Sequence, residues 1–388
     1  MSSLLSHKQR LINQIRGDDI DRVPMVGGWN LGVHNVADLA GLSVDAYLRD
    51  PLGGVLRANR NLGVDAVVPP IVPRDVEAIR DSSLEESDFA HVEPEALKER
   101  ADAIPDNDSE VLKKFDPVKV EQDHRSAWEP VMKRLDGIEL LATCWWAPAT
   151  FSLYFQYGYE AFLAAVALYP ESVGRIFQES AVLAREQNKV IIRLMKEWDL
   201  IPMLFCGDDI CVNKGPMVSP DFLKRYYWPQ VKLSMEPFLE ANIRYIHHCD
   251  GNVMPLVDDM IGAGFSGFQG FQYECGVDPY ELRRRRSLNG EAPLLMGGLS
   301  VTRTLPMGTP QDVIADVDYA LDATDGGRGL FLFTSNVTGT DVPPANLRAA
   351  YRHLADYDPR KRPRSDAGSH RQWPWLVNHP EKAGSQPV

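Results

Sequence analysis

The stretch Ile243-Arg244-Tyr245-Ile246-His247-His248-Cys249-Asp250-Gly251-Asn252 joins a short, mostly apolar run to a dense group of polar side chains. Two imidazoles, a thiol and a carboxylate follow one another, and the glycine after them marks where a helix is expected to begin. Thiolate and imidazole are ligands that Zn²⁺ prefers. Parallel α/β folds place their reactive groups at strand ends. The stretch therefore predicts an enzyme site, with metal binding as its chemistry.

Seven other short apolar runs, each bounded by Gly, Pro or Asp, resemble this one. Such runs are typical of parallel strands that are buried on both faces. Helical patterns separate them, so the rhythm predicts an α/β protein with a (β/α)₈ TIM barrel. The eight predicted strands are 23–29, 65–72, 138–146, 201–206, 243–249, 267–272, 294–299 and 329–334.

Helix signals are clear between these runs. Residues 170–198 form a long amphipathic segment, and Ser219 and Thr309 each precede a proline, as an N-cap precedes the first helical residue. Residues 74–136 are acidic and helical in patches, which predicts an elaborated excursion after strand two, over the barrel mouth. We predict one barrel domain over 1–357 and a partly ordered C-terminal tail over 358–388, anchored by Trp373 and Trp375.

The composition limits the partners and the compartment. The chain has 388 residues and a net charge of −13, which argues against nucleic acid and anionic membranes as partners. No run reaches the ~18 apolar residues of a membrane-spanning helix. Five cysteines, an odd number, without a signal peptide, predict reduced thiols and a cytoplasmic protein. Reduced thiols are free to bind metal.

The predicted strand ends collect the groups that could carry chemistry. His247 and Cys249 are two apart on a strand, so they share one side and suit two ligands of a tetrahedral ion, with Glu274 or Cys275 as a third. The spacing leaves open a buried thiol beside hydrogen-bonded histidines. The adjacent carboxylates of Asp208 and Asp209 suit acid–base work, unless only one faces the pocket.

A second set of residues at the same strand ends is predicted to bind substrate. The tryptophans among them could line an apolar pocket, or at least one could be a large core residue. The predicted substrate-binding residues are Trp29, Asn30, Trp146, Gln272 and Asn336.

Five motifs resemble the uroporphyrinogen decarboxylase superfamily, and the resemblance extends from Arg22 to Arg352. This superfamily contains the decarboxylase itself and zinc methyltransferases that work with corrinoid proteins. The motifs are residues 207–210 (Gly-Asp-Asp-Ile), 215–220 (Gly-Pro-Met-Val-Ser-Pro), 247–252 (His-His-Cys-Asp-Gly-Asn), 264–269 (Gly-Phe-Ser-Gly-Phe-Gln) with Glu274, and Gly297-Gly298.

The resemblance favours the methyltransferase branch. The decarboxylases carry an arginine-rich loop after the first strand and an aspartate that ends the second, and residues 25–30 and 68–71 contain neither. One decarboxylase feature is present, because Tyr154 stands where the decarboxylases have an active-site tyrosine. The methyltransferases bind zinc through His-x-Cys after the fifth strand, which His247 and Cys249 match. Their further cysteine after the eighth strand is missing, because Ser335 and Asn336 stand there.

The resemblance implies a zinc-dependent enzyme that moves a methyl group between a small molecule, such as a thiol or ether, and a corrinoid on a separate protein. Glu274 is favoured as the third zinc ligand, with Cys275 as the alternative, and Asp208, Asp209 and Tyr154 are the predicted catalytic residues. A decarboxylase of a small carboxylic acid and an inactive ligand-binding barrel remain open as alternatives. The superfamily includes dimers, and the sequence does not name the methyl donor or acceptor.

Overall fold

A computed structural model describes residues 4–76, 92–145, 147–360 and 371–382. Each of the eight predicted runs contains a strand, although most strands are shorter than the run. The strands are β1 (Val26–Gly27), β2 (Ala66–Val67), β3 (Glu139–Leu140), β4 (Ala142–Thr143), β5 (Met203–Gly207), β6 (Cys211–Val212), β7 (Gly215–Pro216), β8 (Arg244–His248), β9 (Gly267–Gln269), β10 (Leu294–Leu299) and β11 (Leu330–Thr334).

The architecture is α/β, and its largest sheet has six parallel strands in the order β11-β10-β9-β8-β5-β4. A second parallel sheet has the order β1-β2-β3. The two sheets approach each other twice, because only Leu141 separates β3 from β4 and a parallel bridge joins Met25 to Leu332. Strands β6 and β7 form an antiparallel hairpin that follows β5.

Alternate strand residues divide the interior into two apolar layers. Residues that face inward from both sheets pack in one cluster, and helix α1 (His7–Arg16) adds Leu11 and Ile15 to it. The strand residues between them face the helices in a second, larger cluster. The first cluster, called the inner cluster below, includes Val26, Ala66, Val68, Leu141, Met203, Phe205, Ile246, Leu294, Met296, Phe331 and Phe333.

Helices cover the outer faces of the strands, and within the described ranges none is both long and apolar enough to cross a bilayer. The further helices are α2 (Val33–Ala40), α3 (Val44–Arg49), α4 (Pro51–Leu62), α5 (Glu95–Asp102), α6 (Asp108–Val111), α7 (Pro117–Met132), α8 (Tyr154–Tyr157), α9 (Tyr159–Leu168), α10 (Pro170–Glu197), α11 (Pro220–Phe222), α12 (Trp228–Glu240), α13 (Val257–Gly262), α14 (Pro279–Arg284), α15 (Thr304–Met307), α16 (Pro310–Ala323), α17 (Pro344–Ala355) and α18 (Pro374–Asn378).

The predicted helix starts are confirmed, with one local difference. Thr309 caps α16 in a capping box, and Ser219 accepts a hydrogen bond from the backbone N–H of Phe222 at the start of α11. The sequence predicts one continuous helix after Ser219, but a π-helical stretch over Leu223–Tyr227 separates α11 from α12. Such stretches are rare and occur mostly as single turns within α-helices, so the sequence did not reveal this one.

The described part of the excursion after β2 packs in the helical layer, where α5, α6 and α7 lie along α10. The buried carboxylate of Glu179 on α10 binds Arg100 and Lys114 of the excursion, and Arg125 pairs with Glu197 at 2.7 Å. Residues 77–91 lie outside the described part.

The chain end returns to the helical layer. Trp373 and Trp375 are both buried, and the Trp373 indole N–H donates to Asp316 Oδ1 on α16 at 2.7 Å. Residues 361–370 and 383–388 of the predicted tail lie outside the described residues.

Candidate metal centre

The loops after β5 and β8 leave the six-stranded sheet side by side. The two strands pair in parallel with Gly207 opposite His248, so residues 208–210 and 249–252 emerge together. Gly207 makes this approach possible, because a Cβ there would lie 2.0 Å from the backbone oxygen of His248. Asp250 N–H donates to Asp209 Oδ1 at 2.8 Å, which ties the two loops directly.

The β6–β7 hairpin completes this arrangement. The backbone N–H of Asn252 donates to the carbonyl of Val212 at 3.0 Å, so the hairpin lies against the loop after β8. Gly251 has a φ of +80° and a Cβ there would meet the Val212 oxygen at 2.5 Å. Glycine is therefore required at 251 for both its backbone conformation and the close contact.

Three side chains at the ends of β5 and β8 place their ligand atoms close together. In the described part of the chain, Asp209, His248 and Asp250 are the group whose ligand atoms all lie within 4.8 Å of one another. His248 Nε2 lies 3.9 Å from Asp209 Oδ1 and 3.9 Å from Asp250 Oδ1. These separations are too long for hydrogen bonds and leave room for an ion between the three atoms.

Gln269 decides which nitrogen of His248 carries the proton. The Gln269 amide nitrogen donates to the carbonyls of Thr334 at 2.8 Å and Ser335 at 3.1 Å, so its Oε1 turns towards His248 Nδ1. An oxygen acceptor there requires a proton on Nδ1 in the neutral ring. Nε2 then presents a lone pair to the two carboxylates, and a hydrogen bond on the other ring nitrogen is what orients metal-binding histidines in proteins.

Asp250 supplies an unsatisfied acceptor in this space. Its Oδ2 accepts a hydrogen bond from the Asn336 side-chain amide, but its Oδ1 is buried without a hydrogen-bond partner among the described residues. Burial raises the pKa of Asp250. No hydrogen bond joins the imidazole lone pair to either carboxylate oxygen, so the three electron pairs repel one another, and a cation relieves that repulsion.

The predicted zinc pair, His247 and Cys249, lies on the other face of β8 from the three side chains described above. His247 is buried and stacks on Phe265 in the helical layer, with ring centroids 4.4 Å apart. Burial lowers its pKa to about 3, and neither ring nitrogen has a hydrogen-bond partner among the described residues. The Cys249 thiol accepts from Ile210 N–H at 3.3 Å and donates to the Asp250 carbonyl at 3.2 Å.

The predicted third ligand does not join that pair. Among the described residues, His247, Cys249 and Glu274 do not form a group that could hold one ion. Glu274 accepts hydrogen bonds from Thr302 and, at 3.4 Å, from Ser300, and burial raises its pKa. His247 and Cys249 do share one side of the strand, but β8 carries apolar residues on both faces, so the apolar pattern could not show which face points inward.

The two adjacent aspartates face different ways. Asp208 accepts from Phe151 N–H at 3.0 Å and from the Ser152 hydroxyl, and burial raises its pKa to about 7. It therefore holds the loop after β4. Asp209 instead points towards His248 and Asp250, and these three side chains are called the metal-ligand group below. The Tyr154 hydroxyl donates to the Asp209 carbonyl at 3.0 Å, and burial raises its pKa. Tyr154 thus positions the Asp209 backbone.

An aromatic wall adjoins His248 on the inner side. The Trp29 ring lies edge-on to the His248 ring at 5.8 Å and stacks with Trp145 at 6.2 Å, and Phe205 and Phe333 pack beside it. Trp29 is thus both a core residue and a neighbour of the metal-ligand group. Trp145 is 44% exposed and offers its surface to a ligand.

The other predicted substrate-binding residues have mixed positions. Asn336 contacts Asp250 directly, whereas Gln272 Oε1 accepts from Gly251 N–H at 2.7 Å and so holds the loop. Asn30 accepts from Gly32 N–H at 2.9 Å, and its side-chain nitrogen is buried without a partner among the described residues. Trp146 lies outside the described residues.

Sequence reasoning missed His248, Asp250 and Gln269 as a connected set. One signal was present in the sequence, because Gln269 is a polar residue in a mostly apolar run. The structure adds the register, which places Gln269 opposite His248 in the β8–β9 pair. Polar residues in register on buried strands must satisfy each other, so they point to a shared site.

Comparison with known proteins gives a fold likeness. No protein-family profile matches the chain, and no curated protein matches it. Among solved structures, the chain is similar to a methyltransferase from Methanosarcina mazei, with a TM-score of 0.61 and 18% sequence identity. The match covers 91% of this chain and 99% of that one. At this identity the likeness concerns the fold.

Proposed function

We propose that the protein is a metal-dependent methyltransferase whose ion is held by Asp209, His248 and Asp250. The observation that carries the proposal is the meeting of three electron-pair donors that no hydrogen bond joins to one another, one of them a buried oxygen without a partner among the described residues. The fold likeness to a methyltransferase supports this reaction class.

The proposed scaffold is a closed (β/α)₈ barrel. Its support is the bridge between Met25 and Leu332, the continuity of β3 with β4, and the inner cluster, which takes residues from both sheets. The metal-ligand group would then lie at the carboxyl-terminal mouth, where barrel enzymes build their active sites.

The donor set fits Zn²⁺, although not through the thiolate that the resemblance implies. Zinc binds imidazole nitrogen and aspartate oxygen, and three protein ligands leave a fourth position for substrate. When bound, the ion supplies Lewis acidity that turns a thiol into a better nucleophile or an ether oxygen into a better leaving group. Gln269 fixes His248, Asn336 fixes Asp250, and Trp29 and Trp145 shield one side from water.

The proposed substrate is a small thiol or ether, and the proposed second partner is a corrinoid on a separate protein. This part rests on the resemblance to the corrinoid-linked branch of the superfamily. It is tested separately from the metal, by adding a methylated corrinoid protein and following its visible absorption with candidate thiols.

Metal content tests the site. Purified protein, measured by mass spectrometry after gel filtration, is expected to hold about one ion per chain. His248→Ala and Asp250→Ala are expected to lose it, whereas Cys249→Ser and His247→Phe, on the opposite face, are expected to keep it. Circular dichroism confirms that each variant is folded.

Loss of metal in the Cys249→Ser and His247→Phe variants, with retention in His248→Ala, would return the site to the other face of β8. A folded wild-type protein that takes up no Zn²⁺, Mn²⁺ or Mg²⁺ would overturn the metal proposal. Release of CO₂ from small carboxylic acids, without methyl transfer, would favour the decarboxylase reading.

A further inference from the structure

A second cavity lies at the opposite, amino-terminal ends of the strands. It has a volume of about 450 Å³ and is bounded by the segment after α1, the loop before β10, the loop before β11 and the segment after α17. No residue of the proposed metal centre lines it. Its charged lining residues are Arg16, Asp18, Asp19, Arg283, Glu291, Asp325, Arg328 and Arg360.

Arg283 is the unusual residue of this cavity. It lies in the last turn of α14, and its guanidinium rests against Gly329, where a Cβ would be 2.8 Å from Nη1. The guanidinium donates to the carbonyl of Pro293. Among the described residues, no carboxylate forms an ion pair with it, although the side chain is partly buried. A guanidinium that is removed from water without a counter-charge costs free energy.

The surroundings of Arg283 carry an excess of positive charge. The guanidinium groups of Arg244, Arg286 and Arg328 act on it, and two carboxylates offset this set: Glu291, which binds Arg244, and Asp325, at 3.8 Å from Arg328. Four guanidinium groups, including that of Arg283, thus stand beside two carboxylates, although Arg244 and Arg286 do not line the cavity. Burial and the neighbouring guanidinium groups lower the pKa of Arg283 to about 10.

The opposite wall carries two carboxylates, Asp18 and Asp19, and two guanidinium groups, Arg16 and Arg360. Arg360 pairs with Asp358 at 2.8 Å. Arg16, Arg328 and Arg360 are exposed, so Arg283 is the partly buried arginine of the cavity.

We propose that this cavity binds a small oxyanion, a phosphate or carboxylate group, on Arg283. The guanidinium offers paired N–H donors that match the two oxygens of such a group. Arg328 adds a second cation from the loop before β11, and the volume accommodates a metabolite larger than a bare ion. This binding site is independent of the proposed metal centre and of its reaction.

Isothermal titration calorimetry of the full chain with inorganic phosphate, pyrophosphate and citrate, in chloride buffer at low ionic strength, tests the proposal. We expect saturable binding of at least one of the three, with the phosphate and citrate arms separating the two ligand chemistries. Arg283→Gln is expected to weaken binding by about tenfold or more, because it removes a charged donor. Arg328→Gln, on an exposed side chain, is expected to weaken it several-fold without affecting folding.

Arg284→Gln is the matched control, since it removes the same charge one residue along α14 from a side chain that pairs with Glu281 outside the cavity. Its affinity is expected to equal that of the unmodified protein. Absence of saturable binding for all three anions would overturn the proposal. Equal weakening by Arg284→Gln and Arg283→Gln would also overturn it, because the effect would then be one of overall charge.

Discussion

Two adjacent histidines on one strand have opposite environments. His247 stacks on Phe265 among apolar side chains, while His248 faces the inner side and is oriented by Gln269. Both histidines are buried, so burial does not distinguish their roles. The residues that contact each ring do. The amide of Gln269 fixes the proton on Nδ1 and frees Nε2 for an ion.

Replacing Gln269 by leucine is therefore expected to reduce metal affinity by roughly 10- to 100-fold. The leucine keeps the volume but removes the acceptor that selects the tautomer of His248. Competition with a chromogenic chelator measures the affinity. Gln14→Leu is the control, because Gln14 is also buried and also donates to two carbonyls, of Gly327 and Leu330, at the other strand ends. Equal affinities for the two variants would contradict the role given to Gln269.

At the scale of elements, the site depends on how closely β5 and β8 approach. The contact of Gly207 with the His248 backbone leaves no space for a methyl group. This closeness brings the loop that carries Asp209 onto the loop that carries Asp250. The distance between the carboxylates is thus set by a strand pair rather than by the flexible loops alone.

Gly207→Ala is accordingly expected to lower the free energy of unfolding by about 1–3 kcal/mol, as overpacking does, and to weaken metal binding. Gly262→Ala is the control, since Gly262 lies in α13 with nothing within 4 Å of the added Cβ, and alanine favours a helix. Urea denaturation gives the free energy of unfolding of both variants. A Gly207→Ala variant as stable as the unmodified protein would show that the two strands can separate freely.

The contact between α16 and the chain end predicts a pH dependence of stability. Burial raises the pKa of Asp316 from its ordinary value of 3.8 to about 7 in the folded protein. The folded state then holds a proton that the unfolded state releases, so stability decreases as pH rises from about 4 to about 7 and stays lower above that range.

Asp316→Asn should remove this decrease while keeping an oxygen for the Trp373 N–H. A rise of the Asp316 pKa from 3.8 to about 7 limits the loss of stability to roughly 4 kcal/mol. Urea denaturation on both sides of the range measures the change. If the unmodified protein and the variant keep a constant difference in stability across it, Asp316 does not titrate as inferred.

Strand positions were predictable because buried parallel strands leave short apolar runs between polar turns, and Leu294–Leu299 was matched to the residue. The sequence could not show which face of β8 points inward. Tyr245 packs in the helical layer and Ile246 packs in the inner cluster, and both residues are apolar. A shift of one residue exchanges the two histidines. The partners of His248 come from β9, and a pairing across the sheet is not written in the local sequence.

At the scale of the whole molecule, one ionic network fastens the amino terminus to the sheet. The buried carboxylate of Asp65, just before β2, binds Arg10 of α1 at 2.6 Å and Arg22 at 2.7 Å, and it accepts from Met25 N–H at 2.9 Å. Helix α1 is thereby held where Leu11 and Ile15 enter the inner cluster. The amino-terminal ends of the strands are closed by this helix, opposite the proposed metal centre.

Asp65→Asn is expected to lower the free energy of unfolding by roughly 3–5 kcal/mol, because it leaves two guanidinium groups without their buried counter-charge. Asp199→Asn, which removes the exposed partner of Lys8 on the same helix, is expected to cost less than about 1 kcal/mol. Burial alone would raise the pKa of Asp65, but His7, Arg22 and Arg10 hold it below its usual range. This stabilisation is therefore present at neutral pH and is lost as pH falls through the lowered pKa, which acid unfolding of the two variants will measure.

The contact of the β6–β7 hairpin with Asn252 closes a small circuit, which runs from Asp209 through the hairpin to Asn252 and back through the bond from Asp250 N–H to the Asp209 carboxylate. Backbone bonds, glycines and this one carboxylate maintain the circuit. The identity of the donors at positions 248 and 250 can therefore change during evolution while the frame persists. A single replacement of an oxygen donor by sulfur would alter the ion that is preferred, and one scaffold could in this way give rise to enzymes with different metals.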